Sequence, residues 1–299
     1  MIKISNLSFA YNNSEILKNI SLNIPEGEIT VLIGSNGSGK TTLLNILLGL
    51  LKLQKGEIEI LENKNLESSF KKNIGTIFQT NTCDNSLSVL ENLVLHSKFY
   101  SIPKSESETR INYYLKIFSL ETEKNKLVKK LSGGAIRKLE VIKSILHNPK
   151  LLIYDEPFVN IDVETKNEIW KILYEEVRKN KITLIFTTHN LNEADYAKNI
   201  VIIKKGEIVF KNTLSKFKNM LSYKLINLPV HIYKKYKSAL LDSDFIQLNK
   251  ADSLISFKSL NSKSIENLIK NSPNILKHAI IKNPEIEDIY LSTFMNPIK

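Results

Sequence analysis

Residues 34–41 read GSNGSGKT, with the apolar run TVLI before them and an amphipathic run from Lys40 to Leu51 after them. The octapeptide satisfies the phosphate-loop pattern in full, and its flanks predict the strand, turn and helix that such a loop needs. Each residue type has a physical reason. Glycines let successive backbone N–H groups converge on phosphate oxygens, the next helix turns its positive end toward them, and a lysine adds a mobile cation. Gly34, Ser35, Asn36, Gly37, Ser38, Gly39, Lys40, Thr41 and Thr42 are therefore the expected contacts to a nucleotide's phosphates. The Thr41 hydroxyl is a hard oxygen ligand suited to Mg²⁺.

About 115 residues further on comes LLIYDEP, residues 151–157, in which four apolar residues lead into two carboxylates. The run predicts a central strand with both acids at its end. Successive strand side chains point to opposite faces, so the two acids are free to take different roles. Asp155 is expected to help hold Mg²⁺, directly or through water, and Glu156 to orient or deprotonate an attacking water. Phosphoryl transfer needs these mainly for positioning and charge neutralisation.

Around these motifs the pattern predicts strands at 2–5, 18–24, 28–33, 57–61, 74–79, 151–154, 182–187, 199–204 and 207–211. From about 85 to 147 apolar residues recur three or four apart, so a helical insertion interrupts an α/β core. The expected fold is a mixed-sheet P-loop core with a helical subdomain and a small antiparallel β part, over residues 1–213. From 214 the composition shifts to 13 lysines against 7 acidic residues, and no glycine follows Gly206. There the order of expected elements is strand 222–228, helix 231–241, strands 244–249 and 253–258, helix 262–271, strand 276–282 and helix 284–294. The βαββαβ part of that order predicts a small ferredoxin-like α+β domain over 214–299.

Composition narrows the function classes. The apolar patches ILLGLL (46–51) and LLIY (151–154) are far shorter than the ~18–20 residues of a membrane span, so none is expected. The opening MIKISNLSFAY alternates like a strand and does not read as a signal peptide. Cys83 is the single cysteine, so no internal disulfide forms and a reducing compartment is expected. The net charge of +11 comes from scattered lysines without a basic stripe or interleaved aromatics, and no nucleic-acid partner is expected.

A third motif, LSGGAIRK at 131–138, lies between the other two. With it, residues 1 to about 210 resemble an ATP-binding cassette (ABC) ATPase. In that family LSGG(Q) is the signature, matched by Leu131, Ser132, Gly133 and Gly134, with Ala135 a departure. The resemblance implies further roles. Tyr11 matches the aromatic that stacks on adenine, and Gln79 the glutamine that senses the γ-phosphate, contacts Mg²⁺ and faces the membrane subunit. Asp162 matches the aspartate of the loop after the catalytic glutamate, and His189 the switch histidine. Phe158 and Asn160 depart from the small residues common in that loop. Arg137 and Lys138 match positions that are commonly basic, with a solvated helix face as the open alternative.

The resemblance implies ATP and Mg²⁺ as cofactors. It implies two cassettes packed head to tail, an identical pair being expected, with Ser132, Gly133 and Gly134 of one closing on ATP held by the other. It also implies separately encoded integral membrane permease subunits and a place on the cytosolic face of the membrane. The tail NPEIEDIYLSTF, 283–294, resembles the ending of stand-alone cassettes of bacterial drug, peptide and bacteriocin exporters. The alternative is a cassette ATPase that serves a soluble assembly or a regulatory complex.

Overall fold

The apolar run before the phosphate loop forms a strand, β3 (Ile29–Ile33), in which every residue is buried. The same holds for β6 (Leu151–Tyr154) and β7 (Thr183–Thr188). Strands buried on both faces read as continuous apolar runs, and parallel sheets have this character. In the computed structural model they sit centrally in a six-stranded sheet of order β5-β6-β7-β3-β8-β9, with β5 at Ile74–Ile77, β8 at Asn199–Lys204 and β9 at Glu207–Thr213. All pairs are parallel except β8 with β9. The residues described are 1–62, 68–220, 225–241, 245–250, 254–259, 266, 270, 273–282, 285–290 and 293.

A second, antiparallel sheet of order β2-β1-β4 is built from β1 (Ile2–Tyr11), β2 (Ser14–Ile24) and β4 (Lys55–Ile60). Its inner face packs with α1 (Lys40–Leu47) in a core that includes Leu7, Ile20, Leu32, Leu43 and Ile58. The strands here outrun their sequence expectation. The pairing of β1 with β2 shifts register between Ile4 and Leu7 and again before Phe9, while Asn6 and Asn19 adopt φ of +52° and +49°. Such bulges break the period-two alternation from which a strand is read. Conversely, α1 ends at Leu47 instead of Leu51. Gly49 takes φ +65° and its N–H closes on the Ile46 carbonyl at 3.0 Å, a left-handed helix terminus.

Between β5 and β6 the chain forms α2 (Val89–Phe99), α3 (Lys104–Ile117) and α4 (Gly133–Ile145). A capping box between Ser88 and Glu91 opens α2. After β6 comes α5 (Val163–Asn180), N-capped by Asp162. These elements belong to a compact unit spanning Met1–Thr213, and Leu214–Lys299 forms a second.

The second unit contains α6 (Leu214–Lys218), β10 (Leu225–Pro229), α7 (Val230–Leu241), β11 (Phe245–Lys250), β12 (Leu254–Ser259), β13 (Ile280–Lys282) and α8 (Ile286–Tyr290). Its antiparallel sheet has the order β11-β12-β10-β13, so the first strand lies between the third and fourth, as in a ferredoxin-like sheet. Of the helix expected over 262–271 only residues 266 and 270 are described.

Candidate nucleotide site

Parallel pairing brings four strand ends to one edge of the main sheet. Ile33 of β3 is level with Thr188 of β7, and Tyr154 of β6 is level with both Phe186 and Ile77. The residues immediately after these strands are the phosphate loop, Gln79, Asp155 with Glu156, and His189. Ligands of open α/β sheets sit at the carboxyl ends of strands, and here a cleft of about 330 Å³ opens there. Its walls are Tyr11, Ile16, the run from Asn36 to Thr42, Gln79 and Glu156.

The loop's shape follows from its glycines. A Cβ at Gly34 would stand 2.4 Å from both the Ile203 carbonyl oxygen and Ser38 Oγ. Gly39 takes φ +106°, and a Cβ there would stand 2.6 Å from Leu17 Cδ2. Only glycine lets the chain pass this closely under β2 and then start α1. Lys40, buried at 5% exposure, donates from Nζ to the carbonyls of Gly34 at 2.8 Å and Ser35 at 3.3 Å. The buried Ser38 Oγ has no partner among the described residues.

Glu156 stands at the centre of the polar contacts. One carboxylate oxygen lies 3.7 Å from Lys40 Nζ, and the other lies 3.1 Å from His189 Nδ1. Its backbone takes φ +45°, an unusual conformation for a non-glycine residue that redirects the chain as it leaves β6. Thr187 supports this turn. Its Oγ1 accepts the Glu156 N–H at 2.8 Å and donates to Asp155 Oδ1 at 2.5 Å. The two adjacent acids thus separate: Glu156 faces the cleft and Asp155 faces Thr187. Sequence reading missed Thr187, whose only signal was a polar pair ending the apolar strand TLIFTT.

The expected site residues therefore divide. Tyr11, Asn36, Gly37, Ser38, Gly39, Lys40, Thr41, Thr42, Gln79 and Glu156 share one cleft, with His189 bonded to its wall. Gly34 and Ser35 shape it through the Lys40 contacts. Asp155 does not line it. The Thr41 hydroxyl and the Gln79 amide oxygen are hard oxygen donors of the kind that Mg²⁺ takes. Among the described residues no cluster of three His, Cys, Asp or Glu side chains forms a metal cage.

The signature lies elsewhere. Ser132 N-caps α4, its Oγ accepting the Ala135 N–H at 3.2 Å. A separate cleft of about 430 Å³ is walled by Ser132, Gly133, Gly134, Ala135, Asn160 and Asp162, among others. It shares no wall residue with the first cleft. Asp162 Oδ1 accepts the Thr165 N–H at 2.8 Å and so fixes the start of α5. The two departures in this loop have structural reasons. Phe158 is buried against Trp170 with ring centroids 5.0 Å apart, and Asn160 takes φ +61°, which asparagine tolerates in place of glycine. Neither of the two basic residues after the signature is on a solvated face: Arg137 is buried and Lys138 pairs with Glu168 at 2.7 Å.

His96 and His147, given no role by the sequence, sit in the helical region. Burial pushes their imidazoles down to about 3 and about 4, which keeps both neutral.

The fold and the first cleft define a P-loop nucleotide-binding cassette. The family model described as ABC transporter matches residues 17–159. The chain is similar to MJ0796, a bacterial ABC transporter cassette solved as a dimer, at 30% identity and TM-score 0.66, over 72% of this chain and 99% of that one. MJ0796 is also known in a dimeric post-hydrolysis state bound to ADP and Pi. It is similar to cbiO1 of Clostridium perfringens, part of the ABC transporter complex cbiONQ, at 26% identity and TM-score 0.68, over 81% of this chain and 96% of that one. Among curated proteins it is 34% identical over 211 residues to the spermidine/putrescine import ATP-binding protein PotA of Clostridium novyi (strain NT), covering 70% of this chain and 60% of PotA. The chain belongs to the ABC transporter family, as one of its ATP-binding cassettes, whose ATPase chemistry uses ATP with Mg²⁺. It spans between about a third and three fifths of the length of the curated relatives it matches.

Proposed function

We propose that this chain is the ATP-hydrolysing subunit of an exporter whose membrane permeases are separate chains. The observation that carries the reading is the separation of the two clefts. One holds the phosphate loop, Gln79 and Glu156; the other holds Ser132, Gly133, Gly134 and Asp162, and they have no residue in common. Each is half of a nucleotide site, so two chains packed head to tail complete two sites by twofold symmetry. An identical partner is the simplest such pair. Val163, 67% exposed directly after Asp162, is the kind of apolar residue that a subunit contact covers.

In this reading Tyr11 stacks on adenine, the loop amides and Lys40 hold the phosphates, and Thr41 and Gln79 would hold Mg²⁺, with Asp155 as the expected further support. Bound Mg²⁺ neutralises charge on the phosphate oxygens. Glu156 accepts a proton from the attacking water, and His189 donates to the γ-phosphate. The partner's signature completes the site: the Ser132 oxygen already accepts from Ala135, so its O–H remains free to donate to an anion. Closure over ATP and reopening after phosphate release give a mechanical cycle.

Among the described residues no helix is long and apolar enough to cross a membrane. Separate permeases and a peripheral place on the cytosolic face are part of this reading, in keeping with the likeness to cbiO1, one part of the complex cbiONQ. The export direction rests on the likeness of NPEIEDIYLSTF to exporter endings, against the import role in PotA's name. The test is copurification of the chain with a neighbouring-gene membrane protein, followed by transport in inside-out vesicles. ATP-driven uptake into such vesicles supports export. ATP-driven loss from preloaded ones reverses the direction, and absence of any membrane partner points to a soluble assembly.

A further inference from the structure

The chain leaves β5 at Ile77 and must carry Gln79 to the nucleotide cleft without a strand to hold it. What holds it is one face of α4. Arg137 and Glu140 are both buried and form an ion pair with Nη1 to Oε2 at 3.1 Å. Neither spends its bonding capacity only on the other. Arg137 Nη1 donates to the Phe78 carbonyl at 3.4 Å. Glu140 Oε1 accepts the Thr82 N–H at 2.9 Å and lies 3.4 Å from the Thr82 hydroxyl, which donates to it. One turn on, Lys143 Nζ donates to the Thr82 carbonyl at 3.0 Å. The backbone is thus gripped on both sides of Gln79, at Phe78 and at Thr82, by side chains of the helix whose first residues are Gly133 and Gly134.

A buried ion pair is a poor device for stability alone, since apolar side chains of equal size usually serve as well. It does serve to fix backbone groups, because a charged donor and a charged acceptor hold a carbonyl and an N–H more firmly than neutral groups do. Resting on the cassette reading above, we propose that Arg137 and Glu140 are positioning residues that lock the Gln79 segment to the signature helix. When Ser132, Gly133 and Gly134 engage the partner's ATP, Gln79 is then set in its own cleft by the same rigid element. Engagement of one site and alignment of the other become one event. Neither residue touches nucleotide; both act through the loop backbone.

The full chain carries its own reporter. Cys83, the single cysteine, follows Thr82 directly and is 8% exposed, so a maleimide reaches it only when this segment opens. In Arg137→Ala and in Glu140→Ala, labelling of Cys83 is expected to speed up about tenfold or more. The KM for ATP is expected to stay within about twofold while kcat falls about tenfold or more, because binding at the phosphate loop is intact and only alignment is lost. Glu140→Gln keeps an acceptor oxygen for the Thr82 N–H but loses the charge that pairs with Arg137, so it is expected to fall between wild type and Glu140→Ala on both readouts. Removing one charge also destabilises the fold, so the charge-swapped double variant Arg137→Glu with Glu140→Arg provides the control. It keeps an ion pair but sets an acceptor against the Phe78 carbonyl and a donor against the Thr82 N–H. Labelling stays fast and kcat low in it even where the melting temperature recovers. Unchanged Cys83 labelling in the alanine variants overturns the proposal. So does a swap that restores wild-type labelling and kcat, or a kcat loss that merely tracks the unfolded fraction. A wild-type chain that hydrolyses no ATP defeats the cassette reading instead, and the labelling rates still decide whether the brace exists.

Discussion

At Gly39 the backbone turns to φ +106° and a Cβ would stand 2.6 Å from Leu17, whereas a Cβ at Gly133 would meet nothing within 4 Å. Both glycines belong to short motifs that open a helix, α1 in one case and α4 in the other. The phosphate loop needs its glycines to fold: they let the chain pass under β2 and turn its amides inward. The signature makes no such internal demand at Gly133. Among the described residues nothing meets a Cβ at position 133, and in the proposed function the reason is a partner surface that approaches closely. Gly134 is intermediate, since a Cβ there would stand 3.1 Å from Thr165 Cγ2 at the start of α5.

Substitutions sharpen this contrast. The largest effect is expected at a residue that joins neither motif and that the proposed function assigns to the reaction itself. Glu156→Gln should lower the ATP hydrolysis rate by about 10²- to 10⁴-fold, the contribution of a general base, while ATP still binds, as a turnover assay beside nucleotide titration would show. Hydrolysis at the wild-type rate would remove Glu156 as the base. Gly39→Ala comes next. Left-handed backbone and a blocked Cβ should cost about 1–3 kcal/mol of stability, with a lower melting temperature and loss of nucleotide binding together. An unchanged melting temperature there would break the contrast from the phosphate-loop side. Ala135→Gln should have the smallest effect. A neutral hydrogen bond contributes about 1 kcal/mol, so the ATPase rate should change by less than about tenfold. A gain of about a hundredfold would mean that Ala135 disables the signature.

The same contrast sets what could be read from sequence. GSNGSGKT is legible because all its demands are local: spacing, glycine and a following helix are visible within a dozen residues. The strands LLIY and TLIFTT are legible because burial on both faces leaves unbroken apolar runs. Bulged strands are harder to bound: MIKISNLSFAY alternates like a strand as far as Tyr11, yet the expected strand stops at 2–5, just before Asn6 turns left-handed. Contacts between distant segments were hidden as well. Thr187 sits 32 positions from Asp155, and Glu140 sits 58 from Thr82, yet each decides how a cleft residue is held. Arg137 shows the limit most clearly, because a basic residue on an amphipathic helix reads as solvated until the loop that buries it is placed against it.

The central claim, that the signature serves a second chain, is tested most directly by sedimentation of Glu156→Gln with and without an added Gly133→Ala. The single variant with MgATP should form a dimer. The double variant should bind ATP and melt at the same temperature, since its new methyl group meets nothing within 4 Å among the described residues, but remain a monomer. A double variant that dimerises as tightly as Glu156→Gln would contradict the account.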